Sequence, residues 1–281
     1  MHPECKFVTP WDIISNLVEL QKTEHTNSTG CGFWKTLKRY KDNVYPVSLQ
    51  EACSTTPYFK GIKQYYKEDL ETVKTPINMA GLERHFLDDM FFLFQHVIWI
   101  GDTILNKYET IIFENGQGLM IGKQQPENIW ENCTPSDTGI KYATEIIKNM
   151  NPIIDKNIEA CYVSRTYATR HGDGFLPFEC VKQDIDERIA IDWTNTFNIC
   201  QGRLRYGALD PYVLIANILK DYNSHKIFEN KMNCSLMFTH WNECPVDFGV
   251  FNVLTGIDTI YISHDKTAES VRLKEEVFYY E

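Results

Sequence analysis

Residues 161–179 read CYVSRTYATRHGDGFLPFE. Tyr162, Val163, Thr166 and Tyr167 are β-branched or aromatic, types that fit a pleated, half-buried surface, so the stretch opens as a strand. It breaks at His171-Gly172-Asp173-Gly174 and ends at Pro177. Two glycines around an aspartate make a sharp turn whose backbone amides can come close to a ligand. Arg165 and Arg170 flank the turn with fixed positive charge. A strand that delivers arginines and a glycine turn to one place suits a phosphate or a carboxylate. The same residues also suit a loop between two core elements with solvated arginines, and taken alone the stretch leaves both readings open.

Working outward, the upstream run Ile111-Ile112-Phe113 reads as a short buried strand that enters Glu114-Asn115-Gly116-Gln117-Gly118. Open α/β sheets place ligands at such strand ends. Gln117 offers both a donor and an acceptor, which suits a purine or sugar edge. A second polar turn, 132–139, precedes a helix predicted over 140–149. Thr134 stands in that turn, either as part of an ordinary cap or beside an anion at a helix N-terminus. Downstream, Gln201-Gly202-Arg203-Leu204-Arg205-Tyr206-Gly207 leads into a helix over 209–220, with Arg203 and Arg205 on one side of an extended backbone. Strands are predicted over 234–241, ending in His240-Trp241-Asn242-Glu243, and over 259–263. The tail from 267 to 279 reads as helix or strand.

Toward the N-terminus, a strand is predicted over 5–10 and an amphipathic helix over 11–20. Ser28, Thr29, Gly30 and Gly32 lie in a small-residue stretch that suits either an anion cup or a surface loop. Residues 34–73 read as polar helices and loops, and 81–98 as a strong amphipathic helix whose His85 and His96 are packed or surface residues rather than ligands. Strands alternate with helices without a fixed period. The expected fold is therefore α/β, one domain over 1–281 with a largely parallel central sheet flanked by helices and ligand loops at its strand ends.

Composition narrows the function. The 281 residues carry a net charge of −10 and are 43% hydrophobic, enough apolar matter for a sizeable core. That charge argues against a nucleic-acid partner, which needs clustered Lys and Arg; a nucleotide-sized anion needs only two or three arginines. The nine cysteines are odd in number and none are spaced as CxxC, so reduced thiols in a cytoplasm are expected, with neither a disulfide framework nor a zinc site. No signal peptide is legible at residues 1–10, and the longest apolar run, near 90–100, is too short to span a bilayer. No membrane role is expected. The sequence contains no complete GxxxxGK[ST] and no GxGxxG.

Together these stretches resemble adenylosuccinate synthetase. Phe113-Glu114-Asn115-Gly116-Gln117-Gly118 is similar to that family's FEGAQG. Tyr167-Ala168-Thr169-Arg170-His171-Gly172-Asp173-Gly174 with Pro177 and Glu179 is similar to its Y-x-TRxGxGPxPTE. Gly202 to Asp210 is similar to its GRxRRxGWLD, one residue shorter. Ser28-Thr29-Gly30-Cys31-Gly32 resembles its TTGRGIG loop, and Asp265-Lys266-Thr267-Ala268-Glu269-Ser270 its late DRTET. The motifs keep the family's order over nearly the whole chain. The resemblance implies a ligase of purine biosynthesis that joins L-aspartate to the 6-position of IMP, using GTP or another nucleoside triphosphate with Mg2+, in a cytoplasmic homodimer. It implies that Thr29, Gln117 and Thr134 hold the purine nucleotide. Arg203 would reach both nucleotide and amino acid, while Arg205 and Asn242 would serve the amino-acid carboxylate or the triphosphate.

The sequence also departs from the family. The glycine-rich phosphate loop with its catalytic Asp and His and its magnesium contacts has no counterpart in these 281 residues, so no catalytic residue and no metal ligand is assigned. The expectation is a chain N-terminally truncated relative to the family and completed by an N-terminal portion on another chain or encoded upstream. The family's paired threonines before GRxR are Cys200 and Gln201 here, and its guanine-reading TKLD is Thr239-His240-Trp241-Asn242. The glycine-proline that closes over the guanine is absent between Ser263 and Asp265. Two further readings therefore stand beside the ligase: a non-catalytic purine-nucleotide-binding protein, and a phage-type variant that makes 2-aminoadenine nucleotides.

Overall fold

The structure is a computed structural model. It describes residues 1–22, 28–54, 59–74, 76–122, 134, 136–150, 157–190, 193, 195–197, 200–228, 231–246 and 256–277. The chain forms two units, one of residues 1–111 with 199–201, the other of 112–198 with 202–281.

The first unit is helical: α1 Pro10–Lys22, α2 Phe33–Lys41, α3 Leu49–Ser54, α4 Phe59–Tyr65, α5 Lys67–Thr72 and α6 Met79–His96. Proline at the first position of α1 supplies a φ already suited to a helix. Thr9 and Asp12 cap it reciprocally: the Thr9 amide donates to Asp12 Oδ2 at 2.8 Å and the Asp12 amide to Thr9 Oγ1 at 3.3 Å. The apolar side of α1 buries Trp11, Ile14 and Val18. Trp11 packs with Phe59, Ile62 and Tyr66, and a second cluster joins Phe7, Leu49, Ala52 and Met90.

The strand expected over 5–10 is not formed, because its carbonyls go elsewhere. Cys5 O accepts from the Leu49 amide at 2.8 Å and Phe7 O from Arg39 Nη2 at 3.1 Å. The strand expected at 111–113 is also absent, and Ile112 is 87% exposed. A β-branched run needs a neighbouring strand to pair with, and this one has none among the described residues.

The second unit contains α7 Lys141–Asn149, β1 Ile158–Arg165, β2 Ala168–Arg170, β3 Glu179–Cys180, α8 Lys182–Ile185, β4 Arg205–Gly207, α9 Pro211–His225, β5 Met232–Thr239, β6 Thr259–Ser263, β7 Val271–Leu273 and α10 Lys274–Val277. The main sheet has the order β1-β5-β6-β7, with β1, β5 and β6 parallel and β7 antiparallel at the edge. Its register sets Tyr162 beside Leu236 and Leu236 beside Ile260. One face is thereby a continuous buried layer of Ala160, Cys234, Leu236, Phe238 and Ile262. Helix α9 is tied to β1 and β5 through Tyr162–Asp221 and Tyr222–Met232 hydrogen bonds, and buries Ile215 and Ile218. A small antiparallel sheet, β2-β4-β3, is formed by the chain between β1 and β5. The fold is thus α/β with a largely parallel central sheet flanked by helices. Among the described residues no helix is long and apolar enough to cross a membrane.

Candidate functional site

The parallel strands β1, β5 and β6 end together. The Thr166 amide donates to Thr239 O and its hydroxyl to His240 O, each at 3.2 Å. The Trp241 amide donates to Ser263 O at 3.3 Å. The Tyr167 hydroxyl, from a nearly fully buried ring, donates to Glu243 Oε2 at 2.8 Å. Burial and this carboxylate push the Tyr167 phenol well above its ordinary range, so it remains a donor. Asn242 is exposed on the turn that follows β5. This carboxyl edge is where an open α/β sheet accepts a ligand.

From that edge the chain enters β2 and the His171–Gly174 turn. Gly172 and Gly174 adopt φ of 72° and 102°, the left-handed region that glycine reaches without a Cβ clash. The antiparallel register pairs Arg170 with Arg205, so both guanidiniums meet the turn. Arg170 donates to Asp173 O at 3.0 Å and to Phe175 O at 3.1 Å. Arg205 Nη1 donates to Gly172 O at 2.7 Å and Gly174 O at 3.0 Å. The rest of the Arg205 guanidinium forms a two-point pair with Glu179, Nε to Oε1 at 2.7 Å and Nη2 to Oε2. That bond holds the Glu179 carboxyl below its ordinary range. The two arginines therefore fasten the turn by its carbonyl oxygens, which leaves Arg205 engaged in shaping the loop. Arg203, two residues earlier, is exposed.

The turns bearing Gln117 and Thr134 are brought together. Asn115 Nδ2 donates to Gly139 O at 2.5 Å, Thr138 Oγ1 to Gly118 O at 3.0 Å, and the Thr134 amide to Ile121 O at 2.6 Å. Gln117 is exposed and Thr134 half-buried. The amide that opens α7, on Ile140, donates at 3.0 Å to Asp221 Oδ2. A resident carboxylate thus occupies part of the helix start that the sequence suggested for an external anion. Asp221 had no place among the sequence motifs, and Tyr162 and Asn115 were legible only as a strand residue and a motif residue. The available signal was an aspartate on the buried stripe of α9, three residues beyond Ile218.

Thr29 belongs to the first unit, and its hydroxyl lies 2.8 Å from Cys31 Sγ. Beside it the Ser28 hydroxyl donates to Asn16 Oδ1 at 2.9 Å, and the Gly32 amide to the same oxygen at 3.1 Å. The loop is shaped by a buried asparagine of α1. Gln117, Thr134, Arg203, Arg205 and Asn242 all belong to the second unit. Part of the 132–139 turn, including Cys133 and Pro135, lies outside the described residues.

No family model and no curated protein matches the chain. Among solved structures it is similar to that of fully ligated adenylosuccinate synthetase from Plasmodium falciparum, at 13% identity and a TM-score of 0.55. The match covers 97% of this chain and 64% of that one. The chain therefore spans less than two thirds of the length of the protein whose fold it shares.

Proposed function

We propose that the chain is an adenylosuccinate synthetase-like ligase component that holds a purine nucleoside monophosphate and an amino-acid co-substrate. The observation that carries this is the fold likeness over 97% of the chain, joined to the order of the sequence motifs. A fold alone does not assign a reaction, so the residues must bear the weight. Gln117 and Thr134 stand on two turns bound to each other, and we assign them to the nucleotide. Arg203 supplies an exposed cation for the phosphate or the amino-acid carboxylate. Asn242 is assigned to the co-substrate by resemblance. IMP and L-aspartate are the substrates we assign, and a cytoplasmic homodimer is the assembly we assign.

The nucleoside triphosphate and Mg2+ enter through the resemblance alone. Among the described residues no group of three or more His, Cys, Asp or Glu is placed to hold a metal ion. Arg205, held by Glu179 and the carbonyls of the turn, favours as second reading a purine-nucleotide-binding protein without ligase chemistry.

Calorimetric titration with IMP, dGMP and AMP tests the binding common to both readings. We expect a Kd of ~0.1–1 mM, about 4–5.5 kcal/mol. Arg203→Ala should remove ~1.5–3 kcal/mol, the worth of hydrogen bonds to a charged group, and Gln117→Ala should weaken binding as well. A folded chain that binds none of the three at millimolar concentration overturns both.

A further inference from the structure

Asp221 lies on α9 and is 6% exposed. Its Oδ2 accepts from the Ile140 amide at 3.0 Å and the Tyr162 hydroxyl at 2.8 Å, and its Oδ1 lies 3.2 Å from His225 Nδ1. Gly139 is pressed against the same carboxylate: a Cβ there would fall 2.1 Å from Oδ1. One carboxylate thus joins α9, β1 and the start of α7. From Gly139 and Thr138 the hydrogen bonds continue to Asn115 and Gly118, on either side of Gln117.

We infer that Asp221 is a positioning residue: it fixes the 138–140 segment against the sheet, and through that segment it sets the turn that presents Gln117. The inference rests on the nucleotide-binding reading of these two turns. Physically, a buried carboxylate that accepts from a backbone amide and a phenol defines position more sharply than apolar packing, because each bond is directional and its loss leaves a buried donor unpaired. Gly139 is required for the same reason, since any side chain would push the segment off the carboxylate. Asp221 itself touches no substrate.

The test compares wild type with Asp221→Asn, Tyr162→Phe and Gly139→Ala, using amide hydrogen exchange and IMP titration well below the melting temperature. Exchange should quicken about tenfold or more in 114–122 and 136–140, while β5 keeps its wild-type rates. IMP affinity should fall about tenfold, the scale of one hydrogen bond. A residue with a merely structural role would instead speed exchange in β5 equally and leave the affinity of the folded fraction unchanged; either result overturns the inference, as do wild-type rates in both turns. Tyr162→Phe removes a single bond and serves if Asp221→Asn fails to fold. If wild type binds no IMP, the nucleotide-binding reading falls, and the exchange pattern still decides whether Asp221 sets the two turns.

Discussion

Glu179 and Arg205 form the pair that closes the glycine turn. The Arg205 hydrogen bonds lower the Glu179 carboxyl from its ordinary value of 4.5. A lowered value in the folded protein means that the pair adds stability above the unfolded carboxylate value and loses it as pH falls through the lowered one. Both side chains are partly exposed, 27% and 43%, so screening by solvent keeps the contribution to about 1 kcal/mol or less. The expected outcome is local: on acidification below ~4.5, the Arg205 Nε–H and the Gly172 and Gly174 amides shift together in NMR spectra. Glu179→Gln should abolish that transition, and its persistence in the variant would refute the assignment. The glycines of this turn were legible in the sequence because only a left-handed backbone requires them. The target of Arg205 was not, since it depends on the register that sets Arg170 opposite Arg205.

At the scale of elements, Asp12 ties α1 to α2 and to Tyr66. Arg39 donates to both its oxygens, at 3.0 and 3.2 Å, and the Tyr66 hydroxyl to Oδ1 at 2.8 Å. Asp12 and Arg39 are fully buried, so neither can fall back on water if its partner is lost. Asp12→Ala should destabilise the protein by about 3–5 kcal/mol, the cost of an uncompensated buried charge. Urea unfolding measures it, and a loss under about 1 kcal/mol would mean that Arg39 finds other partners. The helices over 10–22, 79–96 and 211–225 were legible because apolar spacing, caps and proline are local signals. The runs at 5–10 and 111–113 misled because residue type records suitability for a strand, not the presence of a neighbour. Asp221 was hidden for a related reason: its three contacts come from segments 59 to 81 residues away or one helical turn away.

At the scale of the whole molecule, we expect the 281-residue chain by itself to form no succinylated nucleotide from IMP, aspartate, GTP and Mg2+. Stabilising a phosphoryl transition state needs a phosphate cradle and a positioned base, and the sequence supplies no GxxxxGK[ST] loop. Chromatographic detection of product at enzyme-like rates would refute this. The sheet has a separate consequence for how the protein can be followed. Cys234 has no exposed surface, and burial pushes its thiol up to about 12. At pH ~8 only about one thiol in ten thousand carries the reactive charge, and no reagent reaches it. Alkylation there must wait for β5 to open, so the mass tag gained at Cys234 over time is a clock for unfolding of the central sheet.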